Sequence, residues 1–402
     1  MLTARLSALL VILVIAADRS EQQIEAARLV QTVQKLCDLQ LKGRMALDAG
    51  GRCAAELIAK SFHDVGLVPL DETGFLRELR LVVDQMEKDI YAEGQKWFYE
   101  MHPAGMSMRK SAAVIGQIPG RSRGFKEQVV LVVARYDASG CDGTGAIYPG
   151  ADRNASGLSV LIEVARALVG RPGGVHRTVL FAALPGGDQE VFMSRREGDG
   201  GFEKVVDEVL EGLVESGEWD IFLTSDLIRM PRQAGTQALI ANPPVALGRL
   251  CAVVDLNMLG RELALSLRKP DPAGEREVQG ITGAEGVANP RIAVIGGESG
   301  EGLTDSLKKA CGREARQVLF WTFDEAHKAG FKGASECGPF LHQRIPSLWI
   351  TTGPQPEHGT PGDSAKTIVA AQLERAGQLG YRIVKTLANE SHIHAFTAEG
   401  DG

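Results

Sequence analysis

Two hydrophobic rhythms alternate along the chain. Near the N-terminus, "EQQIEAARLVQTVQKLCDL" sets apolar residues at Ile24, Leu29, Val30, Val33 and Leu36, the spacing of an amphipathic helix. "GRCAAELIAKSFHDVGL" predicts a second helix. From Leu79 to about Val114 the pattern is one of short alternating segments and turns. It then changes character. "EQVVLVVARYDAS" is a run of valines around one leucine, as expected of a strand buried on both faces. A helix from Gly157 to Val169 follows, then the apolar runs "RTVLFAAL", "GRLCAVVDLNMLG", "RIAVIGG", "ARQVLFWTF" and "IPSLWITTG", each short enough for a strand. "LTDSLKKACG" and "SAKTIVAAQLERAGQLGYRIVKTLANE" read as helices. Strands alternating with helices predict an α/β fold: a mixed, mainly parallel central sheet sandwiched by helices.

Composition narrows the function classes. The net charge is -7, so no basic surface points to nucleic acid. The six cysteines include no CxxC pair, which argues against zinc-finger and dithiol motifs and leaves their pairing open. "MLTARLSALLVILVIAADRS" has one arginine before an apolar run, Leu6 to Ala17. The run is shorter than the roughly 20 residues of a membrane span. Residues 1–17 are therefore predicted to be a signal peptide or an N-terminal anchor, with export to the periplasm or the extracellular space. No other stretch of the sequence is long enough to cross a membrane. Residues 18–390 are expected to form a single α/β domain. The end, 391–402, "SHIHAFTAEGDG", is expected to be a flexible tail in which His392 and His394 make a weak metal-binding tract.

The chemistry concentrates where strands end. In open α/β sheets, sites lie beyond the carboxyl ends of the strands. The polar residues predicted there are Arg135 and Asp137; Asp152, Arg153 and Asn154 in "YPGADRNASG"; Asp188 and Glu190; Asp255 and Asn257; and Glu336, His358 and Asp363. Short capping side chains before an apolar helix suit the start of the Gly157 helix. A cation at position 153, among acids, does not belong to that pattern.

Six ordered segments, from about Leu41 to Leu387, carry a family resemblance. They are "LKGRMALDAGGRCAAELIAKSFHDVGLVPL", "VVLVVARYDASG", "YPGADRNASGLSVLIEVARAL", "RTVLFAALPGGDQEVFMS", "VVDLNMLGR" and "SECGPFLHQRIPSLWITTGPQPEHGTPGDSAKTI". Together they resemble the zinc aminopeptidase family twenty-eight. That family includes leucyl aminopeptidases and aminopeptidase Y; its relatives are glutaminyl cyclase, nicastrin, nicalin and the transferrin receptor. The resemblance implies a zinc-exopeptidase-like fold, of the phosphorylase/hydrolase-like kind. It also implies two zinc ions on five ligand positions, with a glutamate base beside one of them.

This chain departs from that set. Arg135 stands where the family has its first histidine ligand, and Arg153 where it has the bridging aspartate. Gly187 and Asp188 replace the Glu-Glu pair of base and ligand, and Asn257 replaces an aspartate. Of the ligand positions only His358 is unchanged; the supporting Asp137 and Asp363 are present, with Asp152 and Glu336 as further pocket residues. A guanidinium does not deprotonate in a protein. One placed about 4 Å from a divalent cation costs roughly 8 kcal/mol at an effective dielectric of about 20. Two would offset most of the roughly 10–16 kcal/mol of a structural zinc site.

Three readings follow. The first is a catalytically inactive pseudopeptidase that binds or scaffolds an unknown protein or peptide partner, with no cofactor, no nucleic acid and no membrane beyond an N-terminal anchor. The alternative is an exopeptidase (aminopeptidase) or cyclase-type hydrolase with an altered or mononuclear zinc site on Asp188 and His358. In the third, Arg135 and Arg153 bind an anionic small ligand. The two arginines are expected to pair with Asp188, Asp137 or Asp152, and Glu336 to line the pocket. Glu190 as a replacement base, Asp255 as a substitute ligand and Cys337 as a thiol nucleophile are further candidates.

Overall fold

A computed structural model describes residues 24–93, 96–141, 145–186, 190–193, 223–230, 233–263, 291–331 and 335–397. The predicted leader, Gly187, Asp188 and the last residues of the tail lie outside them.

Two helices come first, α1 (Ala26–Leu36) and α2 (Ala49–Val65). Asp48 caps α2 by accepting from the N–H of Gly51 at 2.8 Å, and Gly66 at φ 87° ends it, a conformation that favours glycine. Strands β1 (Leu76–Glu93), β2 (Lys96–Ile118) and β3 (Val129–Arg135) follow, then the short pair β4 (Gly140–Cys141) and β5 (Ile147–Tyr148). Helix α3 (Ser156–Val169) leads to β6 (Thr178–Leu184), β7 (Glu190–Met193) and β8 (Leu223–Met230). After α4 (Ala234–Ala241) come β9 (Leu250–Leu256), β10 (Ile292–Ile295), α5 (Leu303–Cys311) and β11 (Val318–Trp321). The chain continues through α6 (Phe323–Lys328), α7 (Cys337–His342) and β12 (Ser347–Thr351) to α8 (Ala370–Asn389).

Ten strands form one mixed sheet in the order β11-β10-β12-β9-β3-β6-β2-β1-β8-β7. The central four, β12, β9, β3 and β6, are mutually parallel, and the strands on either side of them pair antiparallel. Alternation along β3 shows the two covered faces. Val130, Val132 and Ala134 join the core shared with α1, α2, α3, α5 and α8. Val129, Leu131 and Val133 join the opposite core, with Leu239 of α4 and Phe340 of α7. Every residue of β3 is buried, as its valine run predicts.

The segment from Leu79 to Val114 differs from its prediction. Instead of short pieces and turns it forms two long antiparallel strands, paired from Leu76↔Val114 to Glu93↔Lys96. Pro103, Ala104 and Gly105 coincide with a register shift opposite Gln85 and Met86, a bulge that accommodates a proline within a ladder. The tail differs too. Over 391–397 it packs on the domain: Phe396 bridges to Gly300, the N–H of Glu301 donates to the carbonyl of Ala395 at 2.9 Å, and His394 is buried. All six cysteines are free thiols. Among the described residues no helix is long and apolar enough to cross a membrane.

Helix α3 sits directly on the end of β9. A β-carbon added to Gly157 would lie 2.0 Å from the carbonyl oxygen of Leu256, a backbone atom that cannot yield without moving the strand. Gly157→Ala is therefore expected to destabilise the fold by about 3 kcal/mol in chemical denaturation. Wild-type stability in that variant would show that helix and strand are not in such close contact.

Candidate functional site

The parallel strands β3, β6, β9 and β12 all end at one edge of the sheet. Successive residues of a strand point to opposite faces. Arg135 therefore continues the face of Val129, Leu131 and Val133, and Asp255 that of Val253. This is the side covered by α4 and α7. Four polar side chains meet there, all essentially excluded from water: Arg135, Thr236, Asp255 and Glu336. Arg135 Nε lies 3.5 Å from Glu336 Oε1. The hydroxyl of Thr236 donates to Glu336 Oε2, and the N–H of Glu336 donates to Asp255 Oδ2 at 2.8 Å. Burial pushes the Asp255 carboxyl up to about 6, against the opposing pull of that N–H and of the Arg135 charge. Burial also raises the Cys337 thiol well above its ordinary value, and the neighbouring Asp255 adds to the effect. A thiol held in its neutral form is a poor nucleophile, which argues against that role for Cys337.

A second network surrounds the loop into α3. Gly150 turns the chain at φ 55°, and Ala151–Ala155 forms a π turn that passes directly into the helix. Such turns are frequent at functional sites. Asp363 holds the turn in place: its carboxylate accepts from the N–H of Asp152 at 2.8 Å and of Arg153 at 3.1 Å. Burial raises the Asp363 carboxyl although these N–H groups favour its charged form. The Asp152 carboxylate accepts from the N–H of Gly260 at 2.6 Å and meets His358 Nε2 at 2.9 Å. His358 Nδ1 accepts from the N–H of Gln355 at 3.1 Å, so its proton sits on Nε2 and points at Asp152. Asn154 Nδ2 donates to the carbonyl of Asp137 at 2.5 Å, and Asp137 Oδ2 accepts from the N–H of Gly186 at 2.7 Å. Arg153 is half-buried, and its Nη1 lies 2.9 Å from where a β-carbon on residue 359 would be, so Gly359 leaves it room.

Arg44, fully buried, braces this edge. Its guanidinium donates to the carbonyl of Tyr136 at 2.8 Å and of Gly150 at 3.4 Å, and also to that of Leu36. One side chain thus links the end of α1, the exit of β3 and the start of the π turn.

Several sequence expectations are revised. Arg135 pairs with Glu336, an acid outside the expected set of Asp188, Asp137 and Asp152, of which Asp188 lies outside the described residues. Glu336 does not line an open pocket; it is the buried partner of that arginine. With 2% of its side chain exposed, Arg135 is closed off from an anion in solvent, so only Arg153 retains that reading. Asp152 is taken by His358. Asn257 lies buried one residue beyond β9, its N–H donating to the carbonyl of Ile350 at 3.3 Å. Gly187 and Asp188 fall outside the described residues. Glu190 begins β7, the edge strand of the sheet, with three strands between it and β6. Sequence reasoning misses Thr236. Its signal is faint: the adjoining Gly235, where a β-carbon would stand 1.9 Å from the carbonyl oxygen of Pro185, marks a close approach of α4 to the end of β6.

The described residues at the family's ligand positions do not fit a zinc pair. A buried guanidinium stands at the first of them. His358, the unchanged position, accepts at Nδ1 from the N–H of Gln355 and holds its Nε2 proton on Asp152, so neither nitrogen offers a lone pair. Among the described residues, the one trio of His, Cys, Asp or Glu whose ligand atoms all lie within 4.8 Å of one another is Glu390, His392 and His394, after α8.

Removing one partner of a buried ion pair strands the other charge. Arg135→Met is expected to cost about 3–5 kcal/mol, and adding Glu336→Gln, which keeps an acceptor for Thr236, is expected to recover most of that loss. Urea denaturation of the two single variants and the double variant measures the coupling. Additive costs would show that the two charges do not act as a pair.

Known proteins share this architecture. The model of Peptidase family M28 matches residues 113–384. No curated protein matches the chain in sequence. Solved structures match its fold. An aminopeptidase from Aneurinibacillus sp. strain AM-1 superposes with a TM-score of 0.56 at 12% identity, over 95% of this chain and 98% of that one. A zinc aminopeptidase from Bacillus subtilis gives 0.56 at 14%, over 94% and 98%. A glutaminyl cyclase from Bacteroides thetaiotaomicron, bound to N-acetylhistamine, gives 0.51 at 15%, over 90% and 98%. With a family model that spans most of the chain and solved structures that share its fold, this protein belongs to peptidase family M28.

Proposed function

We propose that this chain is a non-catalytic member of its family, a pseudopeptidase whose strand-end edge is held together by protein charges in place of zinc, and that it acts as a binding or scaffold protein. The observation that carries the reading is the burial of Arg135 against Glu336 at the position of the family's first metal ligand. A fixed cation there repels a divalent ion, and the nearby Glu336 carboxylate offsets its charge. The tautomer of His358 supports the same reading: Nδ1 accepts from the N–H of Gln355, so Nε2 carries the proton held by Asp152 and presents no lone pair to a metal. Without a metal no water is activated, and at the base position stands Gly187, which has no side chain to take a proton. Export through the leader is part of the proposal, and the partner is a protein or peptide.

Metal content tests it. Full-length protein without a polyhistidine tag, incubated with zinc and desalted, is expected to show no zinc that depends on His358. The wild type and His358→Ala should therefore carry equal amounts, and neither should hydrolyse leucine p-nitroanilide. Zinc that is lost on His358→Ala, together with chelator-sensitive hydrolysis, would overturn the reading in favour of an altered zinc site on Asp188 and His358.

A further inference from the structure

The trio after α8 lies apart from the strand-end networks, and none of its side chains takes part in them. We propose that Glu390, His392 and His394 form a binding site for a zinc-class divalent cation on the segment that follows α8.

The sequence places the ligands. "ESHIH" sets the three ligand types at alternate positions, and bends at Ser391 and His392 fold the segment so that Glu390, His392 and His394 converge while Ile393 is exposed. Their ligand atoms all lie within 4.8 Å of one another. His394 Nε2 is 2.8 Å from Glu390 Oε1, and His392 Nε2 is 3.7 Å from Glu390 Oε2. Ligand atoms around a tetrahedral zinc stand about 3.3 Å apart, from bond lengths near 2.0–2.2 Å. The three ligand atoms, within 4.8 Å of one another, therefore stand close to that spacing, and side-chain rotation of the exposed His392 brings them to it. Two histidines and one carboxylate form a set that zinc accepts, with a fourth position left to water.

The supports expected behind metal ligands are also in place. His394 Nδ1 donates to the carbonyl of Glu301 at 2.8 Å, and Nε2, which donates to Glu390 when no ion is bound, releases that proton when it ligates. The bond from Nδ1 gives the orientation that a second hydrogen bond imposes on a metal-binding histidine. Ser306 of α5 donates to Glu390 Oε2 at 2.7 Å and fixes the carboxylate. The backbone between the ligands is fixed as well. Arg177, buried, donates to the carbonyls of Leu387 at 2.7 Å, Glu390 at 2.8 Å and His392 at 2.6 Å. Its guanidinium is directed at these carbonyls rather than at the Glu390 carboxylate. His392 has 58% of its side chain exposed and His394 only 2%, so the ion enters from solvent on the His392 side and seats against a buried imidazole.

The test uses zinc chloride alone, titrated calorimetrically into untagged, chelator-treated full-length protein. One zinc per chain is expected for the wild type and for His358→Ala, with at least tenfold weaker binding for His392→Ala. His392 is exposed, so its replacement leaves the metal-free melting temperature unchanged, and this separates a lost ligand from a misfolded chain. Cobalt in place of zinc should give visible absorption bands that disappear in His392→Ala. Absence of zinc binding in the wild type, or wild-type affinity in His392→Ala, would overturn the site. Loss of zinc in His358→Ala would count against the non-catalytic reading and leave a His392-dependent ion unaffected, so the two proposals fail separately.

Discussion

A permanent positive charge at the end of a buried strand governs the architecture of this edge. Arg135 is the last of the seven residues of β3, all of them buried, and is itself closed off from water. A guanidinium in that position must be answered by negative charge within a few ångströms, since desolvating an unpaired ion costs several kcal/mol. The answer comes from across the sheet face: Glu336 at the start of α7, with Thr236 of α4 donating to its other oxygen and Asp255 of β9 accepting its N–H. Two helices and two strands are thereby fixed to one cation. The enclosure that strengthens the Arg135–Glu336 attraction also raises the Asp255 carboxyl to about 6, because burial there outweighs the nearby guanidinium.

The second network solves a different problem with backbone groups. A helix start leaves N–H groups without intrahelical partners. Ahead of α3 those of Asp152 and Arg153 are collected by one carboxylate, Asp363, while the side chain of Asp152 turns away to Gly260 and His358. Arg44 holds the carbonyl of Gly150 on the other side of the turn. The loop is therefore bonded at both ends to distant parts of the chain. Such a fixed polar loop, with the half-buried Arg153 upon it, suits recognition without chemistry, since little order remains to be imposed when a partner binds.

Much of this is legible in the sequence. The valine run of β3 specifies its strand, and the strand-end rule gathers Arg135, Asp152, Asp255, Glu336, His358 and Asp363 along one edge. The short polar residues before α3 suggest a local cap, but no side chain caps that helix; the π turn ahead of it is bonded by the distant Asp363 instead. The partners are not legible. Which acid meets Arg135 depends on side-chain parity across β3 and β9 and on where α7 begins, and both are set by tertiary packing. Thr236 carries no sequence signal beyond a neighbouring glycine. The hairpin of β1 and β2 is hidden by Pro103-Ala104-Gly105, because a bulge and a turn use the same residues. The tail is obscured for a related reason: a short polar terminus reads as loose unless the buried Arg177 that binds its carbonyls is known to face it.

A fold built around metal ions has a cluster of carboxylates at its centre, and removing the metal alone would leave them repelling one another. On the reading proposed for this chain, guanidinium groups at ligand positions deal with that repulsion by supplying the missing positive charge from the protein itself. The exchange is not equivalent. A metal ion offers open coordination positions to water and substrate, whereas Arg135 has its charge enclosed and directed at Glu336. On that reading the structural role of a cation is kept and its Lewis acidity is given up. That asymmetry explains how strand order, π turn and edge network can persist in a chain whose ligand set has changed. It also makes the engaged acids Glu336 and Asp152, more than the arginines alone, the diagnostic feature of the site.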